Sequence, residues 1–324
     1  PKNGAIEVAL IDHNGDTRKY IVEEVQNMMP ELAAKYPNIK TYRGNTKKDK
    51  NKRITITLNS DVLIARSHGH EEDFYIQPIW NTAGLHAVAS VTTSEKNFAK
   101  PRCNLNVIEE PKSKAIGAKN QSSTIVDLRT YRIAIAVNGE YSDRNGGTVE
   151  AVLTSVVGEL NLINQVFNSD VGMTLLLVAN NDQLIFLDST TDPYDDDEPV
   201  SMMQMNGAVL NGIIGQDAYD VGHVFRYNAG GGGVADALGI ACKGNKGNAQ
   251  SGISGSATGY LVAAHELGHQ FGAGHTWNSC RESSTNQRTS ESAAEPGSGS
   301  TIMSYGGLCG SNNIGADDPY YHAI

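Results

Sequence analysis

HELGHQFGAGH (residues 265–275) is the stretch on which the fold turns. It holds His265, Glu266, His269 and His275. In a helix of 3.6 residues per turn, His265 and His269 lie one turn apart on one face, so both imidazoles reach one ion. Glu266 stands beside that ion rather than among its ligands. Gly272 has no Cβ, so it can take positive φ, end the helix and turn the chain sharply. That turn brings His275 back as a third nitrogen. Three neutral nitrogens and one open position are what a catalytic zinc needs. Zinc lowers the pKa of a bound water from 15.7 to about 7 and polarises a carbonyl. Glu266 is then the general base, taking the water's proton and passing it to the leaving amine. A helix with two solvent-facing histidines is the weaker reading of five fixed positions. The six other histidines (13, 68, 70, 86, 223 and 322) offer no second set; HGH at 68–70 reads as a turn.

The chain around this motif has 324 residues, room for two domains, with 39% hydrophobic and 19% charged residues. No apolar run reaches the roughly 18 residues that span a bilayer. The net charge of −10 is uneven. Residues 1–120 carry 18 Lys and Arg against 14 Asp and Glu; the remainder carries 8 against 22. A mildly basic front half facing an acidic back half suggests two domains that attract each other, and the acidic half argues against nucleic acid. Of the four cysteines (103, 242, 280 and 309), Cys280 and Cys309 flank a Ser/Gly-rich stretch where a disulfide would help most. That favours an oxidising, extracellular setting; reduced buried thiols are the alternative.

The front half opens with the strand AIEVALI and a helical pattern, YIVEEVQNMMPELAAKY, with Pro30 as a break or kink. NTKKDKNKR (45–53) is a basic turn, and RITITL, DVLIAR, DFYIQPIW and LHAVASVTT are strands. This predicts a helix on an antiparallel sheet. EEPKSKAIGAKNQSST (109–124) reads as an exposed linker open to a trypsin-like protease. The back half runs through the strand YRIAIAVN, a long helix from 147 to 168, the strand MTLLLVAN, a short strand LIFL, a helix SMMQMNGAVLNGIIG and the strand DVGHVFRY. VADALGIAC follows as an edge strand, then a helix over roughly 258–271 that carries the motif, then little regular structure from Thr276 onward. The alternation implies a mixed sheet backed by helices. TDPYDDDEP (191–199) gathers carboxylates that could hold calcium, but no ligand-loop spacing is present, and a solvated acidic loop is the favoured reading.

The motif resembles the H-E-x-x-H-x-x-G-x-x-H signature of the metzincin zinc peptidases. GSTIMSYGG resembles their Met-turn, with Met303 lying 28 residues beyond His275. Within that group the chain is similar to the reprolysin/adamalysin branch, in a bacterial secreted form, on the strength of GVADALGIAC and the long helix after the first strand. Thr276 departs from the Asp usual after the third histidine. IMSY is also similar to serralysins and astacins, where the tyrosine can reach the zinc or the transition state. Tyr305 is thus either a catalytic residue or an ordinary packed tyrosine. The resemblance implies an α+β catalytic domain: a mixed twisted sheet with long helices, an active-site helix and an irregular lower lobe carrying the Met-turn. It also implies β-addition of an extended peptide to the edge strand, placed at Val234 to Ala241. A Cys280–Cys309 bridge would brace the lower lobe, leaving Cys242 unpaired, or Cys242 takes one of the two.

AKPRCN (99–104) resembles the cysteine-switch segment of metzincin propeptides, with Asn104 where the matrix enzymes have Gly. A Cys103 thiolate is a good zinc ligand and would fill the open position. A buried free thiol, or a disulfide to Cys242, is the alternative. The expected organisation is an inhibitory α+β propeptide over 1–108, an activation segment over 109–124 and a catalytic domain over 125–324. The expected protein is a secreted, monomeric zinc endopeptidase in latent form. It acts on protein or peptide substrates and is released by a protease that cuts the linker. The rivals are a non-catalytic module, another zinc hydrolase, and a constitutively active enzyme with an accessory front domain.

Overall fold

The computed structural model describes residues 4–80, 82, 84–91, 128–195, 198–227, 232–253, 258–280, 287–315 and 318–322. Two sheets organise them. The first is a seven-stranded antiparallel meander in chain order: β1 (Ile6–Ile11), β2 (Thr17–Glu24), β3 (Lys40–Asn45), β4 (Arg53–Leu58), β5 (Leu63–His68), β6 (Phe74–Pro78) and β7 (His86–Ser90). A short helix α1 (Pro30–Lys35) joins β2 to β3. The second sheet comprises β8 (Arg129–Val137), β9 (Met173–Leu177), β10 (Val221–Tyr227), β11 (Gly233–Ala235) and β12 (Ala249–Ile253). Its order is β11-β12-β10-β8-β9, with every pair parallel except the antiparallel edge pair β11–β12.

Helices cover both faces of the second sheet. Ile133, Ile135 and Val137 of β8 point to α3 (Val149–Val166) and α5 (Gly259–Phe271). Ala134 and Ala136 point the other way, to α4 (Pro199–Ile214). A short helix α2 (Gly139–Arg144) begins just after β8, with the Asn138 side chain accepting from the Tyr141 amide as its N-cap. Thr148 caps α3 in the same way. Strands covered on both sides read as continuous apolar runs, as Ile133–Val137 does. Met28, Leu32 and Ile39 of the front half join the α3 side of this core.

The antiparallel front sheet and the mixed back sheet follow the expectation, and several elements depart from it. Tyr20–Glu24 is strand, not helix: Tyr20 and Val22 are both fully buried, a period of two, and they pack into the front-sheet core. Pro30 starts α1 instead of breaking a longer helix, because the first turn needs no amide from that residue. LIFL is not a strand; Asn181–Leu184 is a 3₁₀ turn, and Ile185 makes a single bridge to Val137. Strands β3 and β12 were not anticipated. His68 and His70 do flank a turn, with Gly69 at φ +84°. The linker lies outside the described residues. Among the described residues, no helix is long and apolar enough to cross a membrane.

Candidate metal centre

Helix α5 carries the first half of the motif. It ends where Gly272 adopts φ +106° and its amide reaches back to Gly268 and His269. Three residues later His275 faces the helix it has just left. His265 Nε2 and His269 Nε2 each lie 3.2 Å from His275 Nε2. All three rings are buried. Each Nδ1 meets a backbone carbonyl: Ile302 for His265 at 2.6 Å, Ala273 for His269 at 2.7 Å and Gln287 for His275 at 2.5 Å. A carbonyl only accepts, so each Nδ1 carries the proton and each Nε2 presents a lone pair. Burial disfavours the imidazolium, holding His265 down to about 4, His275 down to about 3 and His269 well below the usual range. Three neutral lone pairs so close together repel one another unless a cation lies among them. The donor set, its tautomers and its carbonyl partners fit zinc. Among the described residues this is the one group of three or more His, Cys, Asp or Glu side chains able to hold a metal ion. The acidic stretch at 191–199, whose Asp196 and Asp197 lie outside the described residues, adds none. Asp192 there accepts from the amides of Gly139 and Tyr194.

Glu266 is buried (1% exposed) on the same helix, against the edge strand. Met303 is buried too, and its Sδ approaches Gly268 so closely that a Cβ there would lie 2.5 Å away. Its neighbour Ile302 supplies the carbonyl for His265, and its own carbonyl accepts from the Thr276 amide at 3.0 Å. The Tyr305 ring sits 4.8 Å from the His275 ring and stacks on Trp277. Its hydroxyl donates to Gln287 Oε1 at 2.6 Å. Cys280 and Cys309 form a disulfide, and Cys242 is exposed and without one. Cys103 lies outside the described residues. Strand β11 is shorter than expected, stopping at Ala235, yet it does occupy the sheet edge.

The site also uses residues whose role the motif does not announce. Gln270 on α5 bonds His223 Nδ1 at 2.9 Å and donates to the carbonyls of Gly222 and Lys246. His223 Nε2 then meets Ser251 Oγ on β12. Burial pushes His223 down to about 4, so it stays neutral and ties the active-site helix to β10 and β12. Glu295 accepts from the hydroxyls of Thr276 and Thr301 and from the amides of Ser300 and Thr301. It thereby joins the residue after the third histidine to the segment before Met303. Where the reprolysin pattern has Asp, this chain has Thr276, whose hydroxyl donates to Glu295. Repeated motifs would not find Glu295; a carboxylate in a Ser/Gly-rich loop was the available signal.

Residues 127–317 match the model of metallo-peptidase family M12B, reprolysin-like. The chain belongs to that family. It is a reprolysin-like zinc metalloprotease of metzincin type, and His265, His269 and His275 form a group that could hold its metal. Metalloproteinase-II from Bacteroides fragilis, a crystal structure, is similar in fold at a TM-score of 0.51 and 14% identity. The match covers 85% of this chain and 83% of that one, so the likeness extends beyond the reprolysin-like segment. No curated protein matches the chain.

Proposed function

We propose that this reprolysin-like chain is a secreted zinc endopeptidase held latent by its own front half. His265, His269 and His275 would hold the ion, whose chemistry when bound is that of a Lewis acid polarising the scissile carbonyl and lowering the pKa of a water. The convergence of three Nε2 lone pairs, with Glu266 on the same helix, carries the reading. An extended peptide adds to the open side of β11, and its scissile bond lies over the histidines. Glu266 takes the water's proton and gives it to the departing amine. The Met303 turn supports His265 through the Ile302 carbonyl. The Cys280–Cys309 bridge closes the lower lobe and suits an oxidising compartment.

Residues 1–108 are assigned as the inhibitory part, 109–124 as the activation segment and 125–324 as the catalytic part. The basic front, the acidic back and a cysteine placed just ahead of a lysine-bearing linker support this. Cys103 would fill the fourth position on the metal. The working molecule is read as a monomer.

The test is casein cleavage by the full chain before and after light trypsin treatment, with and without a zinc chelator. Chelator-sensitive cleavage that starts only after the nick is expected. Glu266→Gln should keep one zinc per chain and lose activity, and Cys103→Ala should cleave without the nick. Full activity in Glu266→Gln would overturn the peptidase mechanism, and activity in the uncut parent would overturn the latch alone.

A further inference from the structure

Strand β11 pairs on one side only; among the described residues none pairs with its other side. Its register decides which residues face outward. Gly232 O accepts from the Gly252 amide, and the Asp236 amide donates to Asn248 O, so even-numbered residues turn toward β12. The intervening Gly233 and Ala235 therefore turn their own N–H and C=O to the open side. Gly233 also touches the candidate base. A Cβ on it would fall 2.5 Å from Glu266 Cγ, 2.8 Å from Cδ and 2.7 Å from Oε1. Gly233 is not among the residues with positive φ, so backbone strain does not demand glycine here. The close approach of Glu266 does.

We propose that Gly233 is a positioning residue: its bare Cα is the wall that places the Glu266 carboxylate. The same residue offers its amide and carbonyl to an incoming extended peptide. Peptide docking on the edge therefore steadies the wall behind the base, joining substrate recognition to proton transfer. This rests on the reading of Glu266 as the base. Relief of a Cβ at 233 comes most easily from displacing a side chain, Glu266, so the damage falls on catalysis before it falls on folding.

The test compares the zinc-loaded full chain with its Gly233→Ala variant, each under the condition in which the parent cleaves a fluorogenic peptide. A displaced base should lower kcat about 100-fold, with KM within about twofold and one zinc per chain retained. The calorimetric affinity for a peptide hydroxamate, whose hydroxyl needs a base beside the metal, should fall about tenfold. These are expectations for one misplaced group. Gly212→Ala on α4, where no atom lies within 4 Å of the added carbon, should match the parent. Glu266→Ala removes the Cγ and the carboxyl group in collision, so Gly233→Ala should cost no further hydroxamate affinity in that background. Parental kcat in Gly233→Ala, additive losses, or loss of zinc and fold would each overturn the proposal. An active Glu266→Gln would instead remove the base reading beneath it.

Discussion

At the residue scale, the site depends on which ring nitrogen of each histidine is already used. Spacing alone identified His265, His269 and His275, because a helical turn and one glycine are local features. The partners that fix their tautomers are not local: Ile302 and Gln287 reach the site across loops. Gln287 binds His275 through its carbonyl and Tyr305 through its side chain. Tyr305 was open to two readings, and its bond to Gln287 favours a supporting one. Tyr305→Phe keeps the ring on Trp277 and removes only the donor. An outer support of this kind typically costs 10- to 100-fold in metal affinity. We expect zinc to be lost to a competing chelator at lower concentration, with kcat at saturating zinc within a few-fold. A fall of about 100-fold or more at saturating zinc would instead mark a hydroxyl that stabilises the transition state directly.

At the scale of elements, the long helix, the motif helix and most strands were legible because their apolar periods are long and clean. The failures have physical causes. Tyr20–Glu24 is too short for two periods to be told apart, and the β-branched Ile21 and Val22 suit a strand. AQSGI is small and polar, yet every residue of β12 is buried, because it lies between β10 and β11 under α5. Its burial comes from neighbours, not from its own hydrophobicity. The segment after His275 has little regular structure and leans on Glu295 instead. Burial opposes ionisation of Glu295, but the hydroxyls of Thr276 and Thr301 and the two amides outweigh it and hold the carboxyl below the usual range. A depressed native pKa gives stability that is present above the unfolded pKa, near 4.5, and is lost as pH falls through the native one. Glu295→Gln should therefore melt lower than the parent at neutral pH. The gap should narrow below about pH 4.5 as the parent's carboxyl takes its proton. A gap that stays constant from neutral to strongly acidic pH would show that shape, not charge, matters at this position.

At the scale of the whole molecule, the two halves meet through a polar seam beside a shared apolar core. Arg43 of β3 donates to Asn161, Asn168 and Asn27, and Asn161 donates to the carbonyl of Ile56 on β4. Burial lowers Arg43 to about 10, which leaves it charged at neutral pH. Farther along α3, Arg66 of β5 lies over the Tyr260 ring in the first turn of the active-site helix, 5.1 Å from its centroid. Arg66 and Glu159 line a cavity of about 250 Å³ between the front sheet and the back half. Glu159 Oε2 is buried there without a hydrogen-bond partner among the described residues. Burial pushes this carboxyl up to about 7, against the pull of Arg66. The sign is the reverse of Glu295. A raised native pKa gives stability that is full below the unfolded value, near 4.5, and is lost as pH rises through about 7. The loss across that window is at most about 3.5 kcal/mol, since a tenfold change in proton affinity is worth about 1.4 kcal/mol. Glu159→Gln cannot charge and should not lose it. In urea denaturation of the full chain, parent and variant should be similar near pH 4.5, and the variant should pull ahead by pH 8. Because Arg66 comes from one half and Glu159 from the other, the same charging loads the seam between them. Parallel stability curves across this range would mean that Glu159 ionises freely and that the seam is indifferent to pH.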